Sequence, residues 1–270
     1  MRNYLIAIVK YTETLCIIYC KVKSFEFAEP HSGRVMFGSS HGEVALGREN
    51  LEQIFNLCSE SQDLESSVAL YKHLVSTEKN IKEVFLWFSI FSPGFNMNDT
   101  REKARKSSIY DFIAINRVFK NCILYKLINV ILYNVNFSHR DGHVRINNGS
   151  VICDELTARR AKTHIEMYRK NTQWDHLAEF IGIAQKCDHE VTIILSPARS
   201  DYKKYCNKIS FDKNYLIEKI PYKLRYKVNI LDLFNNSSIS DSEFSDCDHL
   251  KNVGRISDLF DGALRMKSNS

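Results

Sequence analysis

Residues that break regular structure are scarce in this chain: its 270 positions hold 4 prolines and 10 glycines. That scarcity argues against long disordered linkers. Eight cysteines occur, at 16, 20, 58, 122, 153, 187, 206 and 247, yet none forms a CxxC pair and no Cys/His spacing matches a zinc site. A metal-knuckle fold is therefore not expected. Several of these cysteines lie in apolar runs, where a free thiol behaves as a small hydrophobe. Free thiols imply a reducing compartment, and the expected location is cytoplasmic. Long hydrophobic runs are also missing. The apolar stretch Tyr4-Leu5-Ile6-Ala7-Ile8-Val9 is interrupted by Lys10 and Glu13, well short of the ~20 residues that span a bilayer. No unbroken apolar core with a small-residue cleavage site marks a signal peptide. A surface helix or a peripheral, membrane-lying segment is the most that this end could supply. Strong charge of one sign is absent too: the net charge is +5. The cluster Arg101-Glu102-Lys103-Ala104-Arg105-Lys106 includes a glutamate and reads as a solvated helix face, so nucleic acid is not an expected partner.

What is present is ordinary globular composition, 44% hydrophobic and 26% charged, long enough to bury a full core. Residues 1–30 read as a helical or irregular arm. Residues 31–270 read as a single domain with a helical insertion around 100–165, within which 133–160 carry turn signals such as Asp141-Gly142. Short apolar runs predict strands at Arg34–Phe37, around 53–57, at Glu83–Phe91, at Glu190–Pro197, where proline stops it, and at Lys227–Leu231. Helical patterns separate them. One starts near Asp63, a residue suited to cap it; one or two span 161–187; a last one runs from Asn252 to Met266. Strands alternating with helices predict an α/β fold around a central parallel sheet.

The chemistry concentrates where the first strand stops. Arg34-Val35-Met36-Phe37 rises to Gly38, followed by Ser39-Ser40-His41-Gly42. A tight turn here presents Ser40 at the carboxyl edge of the sheet, where open α/β folds place their sites. Gly38 supplies dihedrals closed to other residues, and Gly42 lets the next helix sit close to the sheet. A serine hydroxyl needs a base, and the base needs a partner to orient it. Of the nine histidines, only His249 has an aspartate three positions earlier, Asp246. Both lie in the polar run after the last strand, so they too should emerge at the carboxyl edge. The plainer reading is that Asp246 or Asp248 caps the last helix. His41 reads as a solvent-edge side chain with a weak claim to substrate contact. Arg199, after the fourth strand, reads first as a salt-bridge partner and second as a site for an anionic substrate group.

These residues together resemble the SGNH (GDSL-like) hydrolase superfamily over roughly 34–266. The family's Gly-Asp-Ser corresponds to Gly38-Ser39-Ser40, with Ser39 in place of the aspartate. Its second block, usually a glycine donating a backbone N–H, corresponds to Ser61. Its Gly-x-Asn block matches Gly94-Phe95-Asn96, with Ser89 or Ser92 as alternatives for that place. Its Asp-x-x-His matches Asp246 and His249. The resemblance implies a three-layer flavodoxin-like fold with a central parallel sheet. It also implies Ser40 as nucleophile, His249 as base and Asp246 as its acid, with the Ser40 and Ser61 N–H groups and the Asn96 amide binding an oxyanion. No metal or cofactor is called for. Within the superfamily, Phe-Gly-Ser-Ser-His-Gly, Phe91-Ser92-Pro93-Gly94-Phe95 and Ser196-Pro197-Ala198-Arg199 look most like bacterial polysaccharide-locus members. The implied activity is ester hydrolysis or O-acyl transfer, chiefly O-acetyl, on a carbohydrate or surface-polysaccharide precursor, with an acyl donor as a further partner if transfer is the outcome. Two alternatives stand beside it. One is a non-catalytic glycan-binding or assembly protein that keeps the fold. The other is an α/β-hydrolase esterase, whose Gly-x-Ser-x-Gly elbow also fits residues 38–42.

Overall fold

A computed structural model describes residues 2–27, 32–45, 54–77, 80–119 and 154–251. The final helix expected from 252 and the turns at 133–153 lie outside the described residues. Five strands form one sheet: β1 (Arg34–Gly38), β2 (Phe55–Asn56), β3 (Glu83–Phe88), β4 (Glu190–Leu195) and β5 (Val228–Asp232). All neighbours are parallel, in the order β2-β1-β3-β4-β5. The chain therefore starts inside the sheet, moves to one edge, and returns past β1 to build the rest. That reversal leaves a crevice beside the carboxyl end of β1.

Side chains alternate along each strand as the pleat requires. Val35, Phe37, Val84, Leu86, Phe88, Val191, Ile193 and Leu195 share one core; Met36, Phe85, Trp87 and Ile194 share the other. Both faces are covered, which is why β3 is buried at every position and reads as a continuous apolar run. The first core is closed by α3 (Leu64–Thr77), α4 (Lys103–Phe119) and α6 (Trp174–Lys186). The second is closed by Ala45 of α2 (Ser40–Ala45) together with Ile54, Cys58, Phe244 and Leu250. This is an α/β, three-layer flavodoxin-like arrangement. Asp63 caps α3 as its sequence suggests, its Oδ1 accepting the Ser66 N–H at 2.9 Å. In α6 the apolar stripe Leu177, Phe180, Ile181 and Ala184 faces the sheet.

The N-terminal segment, read as a helical or irregular arm, is the helix α1 (Arg2–Phe27), and it inserts Ile18 and Val22, both fully buried, into the first core. One expectation is corrected: the cluster at 101–106 is not simply a solvated face. Lys106 reaches Asp63 at 3.2 Å and Glu65 at 2.5 Å, and Arg105 reaches Glu60 at 2.8 Å and Glu102 at 2.9 Å. The alternation of charge that suggested solvent instead supplies cations that pair with acids of α3, the β2–α3 loop and the turn before α4. The rest of the described insertion also joins the body of the fold, since α4 adds Ile109 and Phe112 to the first core. The helix α5 (Asp154–Lys170) lies against α7 (Ser200–Cys206). Among the described residues no helix is long and apolar enough to cross a membrane, and the six described cysteines are unbridged.

The two glycines flanking Ser40 are set by contact distances. Gly38 has φ +140°, and a Cβ there would stand 2.7 Å from the Trp87 carbonyl oxygen; one on Gly42 would stand 2.5 Å from Cys58 Sγ. Gly38→Ala is expected to lower the unfolding free energy by about 1–3 kcal/mol, measured from urea unfolding midpoints. An unchanged midpoint would show that the turn relaxes without cost.

Candidate functional site

Three loops converge at the carboxyl edge of the sheet. The first begins where β1 gives way to α2. Ser40 opens that helix, so its N–H is among the first-turn donors that have no acceptor within the helix. The second follows β2. Leu57 N–H donates to the Met36 carbonyl at 2.8 Å and Ser59 N–H to that of Gly38 at 3.1 Å, which continues the parallel ladder past the strand. Ser61 sits in the ensuing turn with φ 60°. This is the left-handed conformation that a glycine would adopt without cost. The third follows β5 and is closed on itself. Phe244 and Leu250 form an antiparallel bridge, and the His249 carbonyl accepts the Ser245 N–H at 2.8 Å. Within this closed turn, Asp246 Oδ1 accepts the backbone N–H groups of Asp248 (3.0 Å) and His249 (2.7 Å).

The loops bring Ser40, His249 and Asp246 into one line. Ser40 Oγ lies 3.0 Å from His249 Nε2, and His249 Nδ1 lies 2.9 Å from Asp246 Oδ2. With a neutral ring the serine hydroxyl donates to Nε2, and Nδ1–H donates to the carboxylate. Burial alone would lower the His249 pKa, but the hydrogen bonds and charges of Asp246 and Asp248 outweigh it and raise it to about 9. Burial opposes ionisation of Asp246 as well, and the hydrogen bond from His249 holds its pKa below the usual value.

The other expected site residues fall in different places. His41 is not at the solvent edge: it is buried, because the first turn of α2 points inward. Its ring stacks on that of His249 at 4.3 Å with 9° between planes. Both of its nitrogens are engaged, Nε2 with Asp248 Oδ2 at 3.1 Å and Nδ1 with Ser39 Oγ at 3.2 Å. The solvent-edge reading of His41 is thereby corrected. Arg199 forms a bidentate pair with Asp201, and its N–H donates to the Cys247 carbonyl at 3.0 Å, which ties the β4 loop to the closed turn. That matches its salt-bridge reading. Asn96 caps a short 3-10 turn: its Oδ1 accepts the Asn98 N–H at 2.9 Å and faces Lys106 Nζ at 3.4 Å. Ser89 Oγ instead pairs with Ser196 Oγ at 2.7 Å, and Ser92 Oγ accepts the Ser89 N–H at 2.9 Å. Asp63 Oδ2 accepts the Met97 N–H at 2.9 Å, which joins the β2 and β3 loops.

Two further groups, Arg160 and His164, reach the site without having been singled out from sequence, and Asp248, read there only as a helix cap, joins them. Arg160, on α5, donates from Nε to Asp248 Oδ1 at 3.0 Å and from a terminal nitrogen to Asp246 Oδ2 at 3.4 Å. His164, one turn on, accepts the Tyr202 hydroxyl at 2.7 Å, and burial lowers its pKa to about 3. Asp248 lies at the centre, its pKa pushed well down against burial by the Arg160 and His41 side chains. A signal for α5 existed. Thr157, Ala161, His164 and Tyr168 recur at three- and four-residue spacing, and all turn inward.

The fold and site together define an α/β protein with a parallel sheet carrying a hydrogen-bonded Ser–His–Asp line at its carboxyl edge. No family model and no curated protein matches this chain.

Proposed function

We propose that this chain is a serine-dependent ester hydrolase or O-acyltransferase of the SGNH type. The observation that carries the reading is the Ser40–His249–Asp246 line, with bonds of 3.0 and 2.9 Å. Neutral His249 takes the Ser40 proton at Nε2 as Oγ attacks an ester carbonyl carbon, and Asp246 holds the proton on Nδ1 and balances the imidazolium. The Ser40 N–H, the Ser61 N–H and the Asn96 amide are the candidate oxyanion donors; loss of one such donor costs about 2.7–4 kcal/mol in the barrier. His249 then returns the proton to the departing alkoxide. Water resolves the acyl-enzyme in a hydrolase, and a sugar hydroxyl resolves it in a transferase. The nucleophile follows the first strand, and the acid and base share one loop after the last. That order supports the SGNH reading over the α/β-hydrolase one. A carbohydrate acceptor rests on the resemblance of Phe37–Gly42 and Phe91–Phe95 to polysaccharide-locus members.

The test is covalent labelling with a fluorophosphonate. Wild type should label on Ser40, and both Ser40→Ala and His249→Ala should not. A wild-type chain that stays unlabelled would support the non-catalytic reading, to be followed by glycan-retention assays.

A further inference from the structure

Beneath the Ser40–His249–Asp246 line lies a second charged layer. Asp248 has a side chain only 4% exposed and is approached from three elements. Arg160 of α5 lies at 3.0 Å, His41 of α2 at 3.1 Å, His164 of α5 at 3.6 Å, and its own-loop neighbour His249 Nδ1 at 3.5 Å. Arg160 bridges the two acids and brings its other terminal nitrogen to 3.3 Å from His249 Nδ1. The ring of His249 is thus faced by Ser40 and His41 from α2, by Arg160 and His164 from α5, and by Asp246 and Asp248 from its own turn, with Cys247 Sγ 3.6 Å from Asp248 Oδ1.

The charges in this shell have a simple sum. Burial lowers the pKa of both His41 and His164, which stay neutral, and burial raises that of the Cys247 thiol, which stays protonated. What remains is two carboxylates, one guanidinium and His249. The set is neutral only when His249 is an imidazolium, the state reached when Ser40 gives up its proton. Without the guanidinium, two acids would face one ring with nothing to offset them and hold its proton more firmly still.

We propose that Arg160 is a positioning residue that sets the proton affinity of His249, by offsetting one of its two facing carboxylates and bridging both. This rests on the reading of Ser40 and His249 as nucleophile and base. A planar guanidinium can span Asp246 and Asp248 together, whereas a lysine ammonium supplies the charge without the fork.

The experiment uses the full chain in four forms: wild type, Arg160→Gln, Arg160→Lys and Arg159→Gln. Arg159 is the control, since it loses the same charge one residue away from an exposed pair with Glu155. The first readout is the His249 titration midpoint by NMR of isotope-labelled histidine; the second is the pH profile of kcat/KM on p-nitrophenyl acetate. In Arg160→Gln the midpoint should rise by about one pH unit, with about tenfold less turnover near pH 7 from that shift. Arg160→Lys should restore the midpoint but leave kcat about 10-fold or more below wild type, through lost alignment. Arg159→Gln should move neither. Should Arg160→Gln fail to fold, Asp248→Asn gives the opposite test, a midpoint that falls. A midpoint unmoved in Arg160→Gln, or moved equally in Arg159→Gln, overturns the proposal. NMR titration needs no turnover, so an inert chain with the expected midpoint shifts would sink the hydrolase reading alone. An active chain with fixed midpoints would sink this inference alone.

Discussion

Asp246→Asn should leave the fold intact and lower ester turnover by about 10³-fold, close to the ~10⁴ that the same change costs in a well-characterised serine triad. The reason lies in how the carboxylate is shared. Oδ1 accepts two backbone N–H groups, from Asp248 and His249, while Oδ2 accepts Nδ1–H. An asparagine keeps its carbonyl oxygen on the two N–H groups, because the flipped amide would set donors against donors. Its NH2 then faces His249 Nδ1, which must become an acceptor. The ring proton moves to Nε2, and Nε2 can no longer take the Ser40 proton. Asp248 moderates the loss, since its Oδ1 is 3.5 Å from Nδ1. The measurement is kcat/KM on p-nitrophenyl acetate, alongside an unfolding midpoint to show the fold is kept. Full turnover in both Asp246→Asn and His249→Ala, with Ser40→Ala inert, would place the base elsewhere.

The scaffold of this site was legible because it is written in local physics. The apolar runs at 34–37 and 190–195, and positions 83–88 of the run read to 91, mark strands covered on both faces; the run at 227–231 marks a partly covered edge strand, and Gly38 and Gly42 mark a turn that tolerates no Cβ. The three-residue spacing of Asp246 and His249 is fixed by one turn, so it could be read without knowing what surrounds it. The surroundings could not be read in the same way. His41 and Asp248 are 207 positions apart, and neither neighbourhood carries a trace of the other. Arg160 stands in a helix whose charged residues look solvated in sequence, and only the docking of α5 on α7 turns it inward. Lys106 and Asp63 show the same limit, a buried ion pair between a lysine that reads as solvated and an aspartate that reads only as a helix cap. Long-range charge pairing leaves no periodic signal, whereas burial of a strand or a helix stripe does.

The pH profile should be steep on its acid side and reach further into alkali than an ordinary histidine base would allow. His249 must be neutral to accept the Ser40 proton, and its pKa in the folded chain is raised from 6.5 to about 9. The neutral fraction is then about 1% at pH 7 and about half at pH 9, so kcat/KM should climb about 50-fold between them. Stability should run the other way. A group whose folded pKa is raised above its unfolded value binds its proton more tightly in the native state. Its contribution is fully present below about 6.5 and is lost as pH rises through about 9. On the scale of 1.36 kcal/mol for each pKa unit, the part held by His249 and its partners is on the order of 3 kcal/mol. Asp246 works in the acid range: its folded pKa is depressed, so its contribution is present above the unfolded carboxylate pKa and disappears as pH falls through the folded one. The site is therefore firmest between the carboxylate range and about pH 6.5, where it is least active, and loosens as it gains a free base. Thermal midpoints taken from pH 6 to 9.5 should fall in wild type and flatten in His249→Gln, which removes the titrating group. If wild-type turnover instead reaches its plateau by pH 7 while the thermal midpoint stays level to pH 9, His249 carries no excess proton affinity, and the two carboxylates facing it are already fully offset.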